Sequence, residues 1–351
     1  MKLSRRGFLL GGGSALASAA LVDRTLARPK PANGATSLVV EATRIEHFSV
    51  TEPARQRFGA LTFRSGLDLR SPDPSFGGFS GLWRSADGQR LVSIADNAQW
   101  LSARIETQAG KLAGLTDAML APVLNEQGKP LARTRYYDTE SLALGDGVAF
   151  IGIERKHAVM RFDWAASGIN ARGRLLNLPR ELNEAVSDLP HNSGLEAIGI
   201  APPRSSLAGA LVAVSERSHD GEDAPTSGFI LSGPQRGLFK VLRSQGYAVS
   251  DLNFLPDGDM LLLERKVSLL EGFGIRLRQV KAAAIRPGAL VDGAVLFESE
   301  PSHQVDNLEG LALHQEAGRT IVTLISDNNF SRFQRTLLLE FALDADPRQS
   351  A

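Results

Sequence analysis

The sequence predicts an all-β propeller, a ring of small antiparallel sheets, and three observations carry that expectation. A short motif recurs five times along the chain, Asp-Gly turns sit inside most of the repeats between apolar runs, and few stretches hold the period of a helix.

Each repeat opens on an acidic residue or a serine, then any residue, then Leu or Ile, and leads to an apolar strand closing on a carboxylate. Ser80-Gly81-Leu82 leads through Asp87-Gly88 to Asp96, and Glu140-Ser141-Leu142 through Asp146-Gly147 to Glu154. Glu196-Ala197-Ile198 leads to Glu216, Ser250-Asp251-Leu252 through Asp257-Gly258 to Glu264, and Glu309-Gly310-Leu311 to Asp327. Asp-Gly between apolar runs is a strong hairpin signal, so each unit reads as two strands and a tight turn. A third strand follows at residues 101–106, 158–164, 237–243, 274–280 and 336–343. The repeats open at 80, 140, 196, 250 and 309, a spacing of 54 to 60 residues that fits four-stranded blades. Short helices are expected at 113–120 and 181–188.

Five blades are visible, an N-terminal strand at 38–48 is left over, and the last repeat lacks a fourth strand. Those facts together predict a ring closed by pairing the N- and C-terminal strands. A sixth blade built around residues 58–69 is the other arrangement the pattern allows.

Ahead of the repeats, Arg5-Arg6 precede an apolar stretch, and Thr25-Leu26-Ala27 offers a small-residue cleavage site. That order predicts a twin-arginine signal peptide over 1–27, engagement of the twin-arginine translocon, and a periplasmic or secreted destination. The stretch is broken by Gly11-Gly12-Gly13 and is shorter than the ~20 residues of a membrane span. A linker at 28–37, one propeller domain at 38–345 and a tail at 346–351 complete the expected organisation. A monomer with no stable membrane span is expected.

Lys plus Arg and Asp plus Glu number 39 each, so net charge gives no reason to expect a nucleic-acid partner. With no cysteine, disulfides, thiolate metal sites and cysteine nucleophiles are excluded. There is no Gly-x-Ser-x-Gly motif and no His-x-x-x-His spacing, and the histidines, His157, His191, His219 and His303 among them, are scattered.

In a hairpin the start of the first strand and the end of the second share one edge. This pairs Glu140 with Glu154, Glu196 with Glu216, Glu309 with Asp327, Ser80 with Asp96 and Ser250 with Glu264. If the first strand of each blade lines the channel, these carboxylates converge at one mouth. Arg155, Lys156, Arg217, Arg265 and Lys266 follow them immediately, and Arg104, Arg161 and Arg335 stand one strand later. Hard oxygen ligands with interspersed cations suit Ca²⁺ and an anionic ligand; structural Glu–Arg pairs are the plainer reading of any single one. Asp306-Asn307-Leu308-Glu309 with Ser326-Asp327-Asn328-Asn329 is the densest cluster, and it reads equally as a metal site or as turn formers. Polar residues 217–236 and the shorter, more apolar 266–273 are expected as loops at the mouth, either a lid or a recognition surface.

Phe76-Gly77-Gly78-Phe79-Ser80-Gly81-Leu82, Asp96, Ser102-Ala103-Arg104, Asp306-Asn307-Leu308-Glu309-Gly310-Leu311 and Ser326-Asp327-Asn328-Asn329 resemble the bacterial phytase-like family, labelled "esterase-like activity of phytase". The likeness runs over about 58–341. It implies an exported propeller and, through propeller phytases, a calcium-dependent phosphoric ester hydrolase acting on a small anionic or phosphorylated substrate. On that resemblance Glu140, Glu196, Arg104 and Arg155 are the catalytic candidates, with Lys156 and Arg265 as further phosphate grips. Glu154, Glu216, Glu264, Asp306, Asn307, Glu309 and Asp327 are the Ca²⁺-ligand candidates. The alternatives are a non-catalytic propeller binding a ligand or protein in the cell envelope, and a propeller lactonase or carboxylic esterase.

Overall fold

A computed structural model describes residues 34–190, 193–218, 220–221, 223–268 and 272–344. The expected signal segment, His191, His219 and the C-terminal tail lie outside them. Five mainly antiparallel sheets form a five-bladed propeller. Blade one comprises Phe79–Arg84, Arg90–Ala95, Gln99–Gln108 and Lys111–Pro122, and blade two Thr139–Gly145, Val148–Ile153, Ala158–Asp163 and Arg172–Leu175. Ala197–Ile200, Leu211–Val214, Thr226–Ile230 and Gly237–Val241 make blade three. Ala248–Phe254, Met260–Ser268, Gly272–Val280 and Ala294–Glu298 make blade four.

Blade five is built from both ends of the chain. Leu308–Glu316, Arg319–Ser326 and Thr336–Leu343 come from the C-terminal part, and Leu61–Arg70 adds the fourth strand by pairing with Thr336–Leu343. Glu41–Ile45 pairs outside it. The ring is therefore closed by an N-proximal and a C-terminal strand, but the closing strand is Leu61–Arg70 and not the 38–48 segment, so the residues around 58–69 belong to this sheet rather than to a sixth blade.

The first strands of the five blades touch in a closed cycle, each packing on the next and the fifth on the first. Five hydrophobic clusters match the five interfaces between blades. Val92, Ile94 and Trp100 meet Leu142, Ile151 and Phe162 between blades one and two. Leu67, Leu338 and Ile325 meet Phe79, Leu82 and Leu101 across the closure. Sheets stacked face to face bury both sides of their middle strands, which explains unbroken apolar runs such as Leu211–Val214 and 260–263. Polar clamps cross the same interfaces: Ser141 Oγ donates to Leu195 O at 2.6 Å, and Asp251 Oδ2 accepts from Leu311 N at 2.6 Å.

Local departures from the sequence pattern have physical causes. Residues 113–120, expected as a helix, lie within the strand Lys111–Pro122. Ala109 and Gly110 both take positive φ, 51° and 73°, a turn that folds this segment back on Gln99–Gln108. The third strand of blade three is Thr226–Ile230, inside the expected 217–236 loop, and Gly237–Val241 is the fourth. Gly228 lacks the Cβ that would strike the Phe239 ring at 2.3 Å, so a glycine that looks like a loop residue is a packing residue. Segment 266–273 is paired strand out to Ser268 and Gly272. The expected helix at 181–188 is present as Arg180–Ser187, with Leu182 and Val186 buried against blades two and three. Among the described residues no helix is long and apolar enough to cross a membrane.

Candidate active site at the acidic mouth

The register of the hairpins explains why acids gather at one end of the channel. In blades one, two, four and five the ladder slips by one residue at Ser80, Glu140, Ser250 and Glu309, so the same repeat position carries a β-bulge. In blade three Glu196 holds that place, immediately before Ala197–Ile200. A bulge re-aims a side chain, and four of the five equivalent positions carry one.

A second set faces the first across each hairpin. Four backbone N–H groups donate to the carbonyl two residues before the bulge: Asp96 to Gly78 at 2.8 Å, Glu154 to Asp138 at 3.0 Å, Glu216 to Gly194 at 3.2 Å and Asp327 to Asn307 at 2.8 Å. In blade four the residue opposite Ala248 is Arg265. The outer set is thus Asp96, Glu154, Glu216, Arg265 and Asp327.

The convergence of these groups sets their electrostatics. Burial, then the charges of Glu196, Asp138, Glu154 and Asp96, pushes the Glu140 carboxyl well above the usual range. Burial, Glu154 and Glu216 do the same to Glu196, and burial, Glu309 and Asp96 to Asp327. Glu154 is raised to about 7 by burial and by Asp138 and Glu216, and it shares hydrogen bonds with Asp138 and Glu196. Acids from blades one, two, three and five therefore feel one another. Burial alone would depress the Arg265 guanidinium, but Glu309, Glu216, Glu196 and Asp327 hold it above its ordinary value.

Blade two supplies the tightest group. Ligand atoms of Asp138, Glu140 and Glu154 all lie within 4.8 Å of one another, and Arg155 Nε meets Asp138 Oδ2 at 2.5 Å. Carboxylates without thiolate or imidazole are a donor set for a hard cation such as Ca²⁺. Burial and mutual repulsion lift the Glu140 and Glu154 carboxyls, and the repulsion is what a divalent ion would relieve, so the residues fit one. Asp138 escaped the sequence reading because the matching residues of other repeats, Gly78, Gly194, Ala248 and Asn307, are not acidic. Its only signal was a place two residues before Glu140.

Other candidates stand elsewhere. Glu264 pairs with Val249 and is fully buried, accepting from Arg276 Nε at 2.7 Å and from Arg278 Nη2 at 2.6 Å. It belongs to an ion-pair cluster inside blade four, one residue away from the outer set. Asp306 accepts from the backbone N–H of Asn307 at 2.9 Å and of Arg335 at 3.0 Å, the work of a turn former. Asn307 does reach the mouth, where it accepts from Arg265 at 2.9 Å and donates to Glu309 Oε1 at 2.8 Å. Arg104 pairs with Arg90 at the far end of blade one, roughly 17 Å along the strand from Ala95. There it lines a separate cavity of about 370 Å³ with Arg64, Arg84 and His314. His303 packs among Phe48, Phe58 and Phe297, away from the acids.

Among solved structures, the chain is similar to one in a crystal structure of a nidogen/laminin complex. The identity is 11% and the TM-score 0.38, over 76% of this chain and 87% of that one. A comparison with curated proteins finds no match. The model of the phytase-like family, described as "esterase-like activity of phytase", matches residues 74–330, and the chain belongs to that family.

Proposed function

We propose that this propeller is an exported, Ca²⁺-dependent phosphoric ester hydrolase whose chemistry takes place at the acidic mouth. The observation that carries the reading is the Asp138, Glu140 and Glu154 trio, three carboxylates from one blade with ligand atoms within 4.8 Å. Family membership supports a hydrolase-like propeller, and the paired Arg5-Arg6 of the leader support export.

Asp138, Glu140 and Glu154 would hold the ion. A bound Ca²⁺ supplies charge neutralisation for an anionic substrate and a more acidic water. The chain's own residues do the rest. Arg265 offers a fixed guanidinium to substrate oxygens, and Arg155, anchored on Asp138, stands at the same rim. Burial and the charges of Glu154 and Glu216 push the Glu196 carboxyl well above its usual range, which suits it to donate a proton to a leaving oxygen.

The test is phosphate release from phytate and p-nitrophenyl phosphate by the purified mature protein, with Ca²⁺ and with chelator. Hydrolysis that needs Ca²⁺ and falls at least a hundredfold in both Asp138→Asn and Glu154→Gln supports the reading. Hydrolysis indifferent to chelator and to both substitutions removes it. Export is checked separately, by replacing Arg5-Arg6 with Lys-Lys and following the protein across the inner membrane.

A further inference from the structure

Blades two, three and five repeat one design at the mouth, and blade four departs from it furthest. Ser250 takes the bulge position and Arg265 the outer position, where blades two, three and five each place two carboxylates. Arg265 does not fold back on its own blade. Its Nη2 lies 3.1 Å from Glu309 Oε1 of blade five and 3.7 Å from Glu216 Oε1 of blade three, and its Nη1 donates to Asn307 Oδ1 at 2.9 Å. One guanidinium thus bridges the acids on either side of blade four. At the carboxylates of blade two, Arg155 pairs with Asp138 from the rim.

We propose that Arg265 is a built-in cation standing where a second metal ion would otherwise sit, so that the mouth takes a single divalent cation, on the blade-two side. This rests on the metal reading of the preceding section. A guanidinium stays protonated at any physiological pH and cannot be chelated away. It satisfies Glu216 and Glu309 directionally, and its positive charge repels a divalent ion from the same carboxylates. The two halves of the mouth then differ in kind. One holds an exchangeable ion, the other a permanent charge, and an oxyanion between them meets a cation on each side.

Calcium titration of the purified chain by calorimetry, with equilibrium dialysis for stoichiometry, tests this. The wild-type protein is expected to bind one Ca²⁺, Arg265→Gln two, Glu216→Gln one and Glu154→Gln none. Arg265→Gln binding no more Ca²⁺ than wild type overturns the proposal, as does a wild-type chain that already binds two. A wild-type chain that binds none while Arg265→Gln binds one keeps the role of Arg265 and removes the metal reading above it. If Arg265→Gln does not fold, the contrast between Glu154→Gln and Glu216→Gln decides. Loss of Ca²⁺ in the first alone supports the division of the mouth, and equal losses or none overturn it.

Discussion

Glu264 and Arg265 are consecutive in the chain, yet Glu264 is fully buried between Arg276 and Arg278 while Arg265 reaches Glu309 across the mouth. Side chains alternate along a strand, so one step separates an internal ion-pair cluster from the candidate site. Glu264→Ala is expected to leave Arg276 and Arg278 facing each other, the first held by Ser244 and the second by Asp292 and Leu242 O. The cost is on the order of 3–5 kcal/mol, the usual result of breaking a buried pair from one side. Urea unfolding reads it, and Ca²⁺ binding by the folded protein should not change. A loss of Ca²⁺ binding with unchanged stability would place Glu264 at the mouth after all.

The same pair shows which features of the site were legible in the sequence. Repeat openers, Asp-Gly turns and closing carboxylates are local, and they set five blades and one acidic edge. The bulge is not local. Every bulged blade carries the same extra residue, and in blade four the pairing around it sets Glu264 opposite Val249 and gives the outer position to Arg265, so aligning carboxylate with carboxylate puts blade four one residue out. Asp138 was hidden for the related reason that it breaks the repeat instead of obeying it. Arg104 misled because a strand about 17 Å long has two ends, and its residue types do not say which one faces the mouth.

Blades four and five are joined through Asp251, whose carboxylate accepts from Leu252 N at 2.8 Å and Leu311 N at 2.6 Å. Asp251→Ala strands two buried N–H groups, which should cost about 2–4 kcal/mol. Asp251→Asn keeps one acceptor oxygen and should lose roughly half as much by the same reasoning. Chemical denaturation ranks the three proteins, and equal stability would mean that the inner strands do not rely on this clamp.

Closure of the ring is testable because the chain has no cysteine of its own. Thr62 and Ala342 are register partners where Leu61–Arg70 completes blade five. Thr62→Cys with Ala342→Cys should form a disulfide on mild oxidation, seen as a shift in non-reducing electrophoresis. A crosslink enclosing most of the chain constrains the unfolded state by about 5 kcal/mol in the loop-entropy view, so the oxidised form should melt several degrees higher. No crosslink would mean that these ends do not meet.

Protonation of the mouth should make the stability of the metal-free protein fall as pH rises. Glu154 is raised from an ordinary 4.5 to about 7 in the folded state, so between those values the folded chain holds a proton that the unfolded chain has released. Stability is then greatest near pH 4.5 and declines toward pH 7, with about 3 kcal/mol at stake for this one group. Glu140, Glu196 and Asp327 are shifted in the same direction and add to the slope. Calcium binds the ionised carboxylates, so it should restore stability most at the high end of the window and release protons as it does so. Melting temperatures between pH 4.5 and 7.5, in chelator and in Ca²⁺, check both halves of the expectation. Glu154→Gln should flatten part of the decline in chelator, because the amide cannot ionise. A melting temperature that climbs through the window without Ca²⁺ would mean that the acids of the mouth are not pressed together.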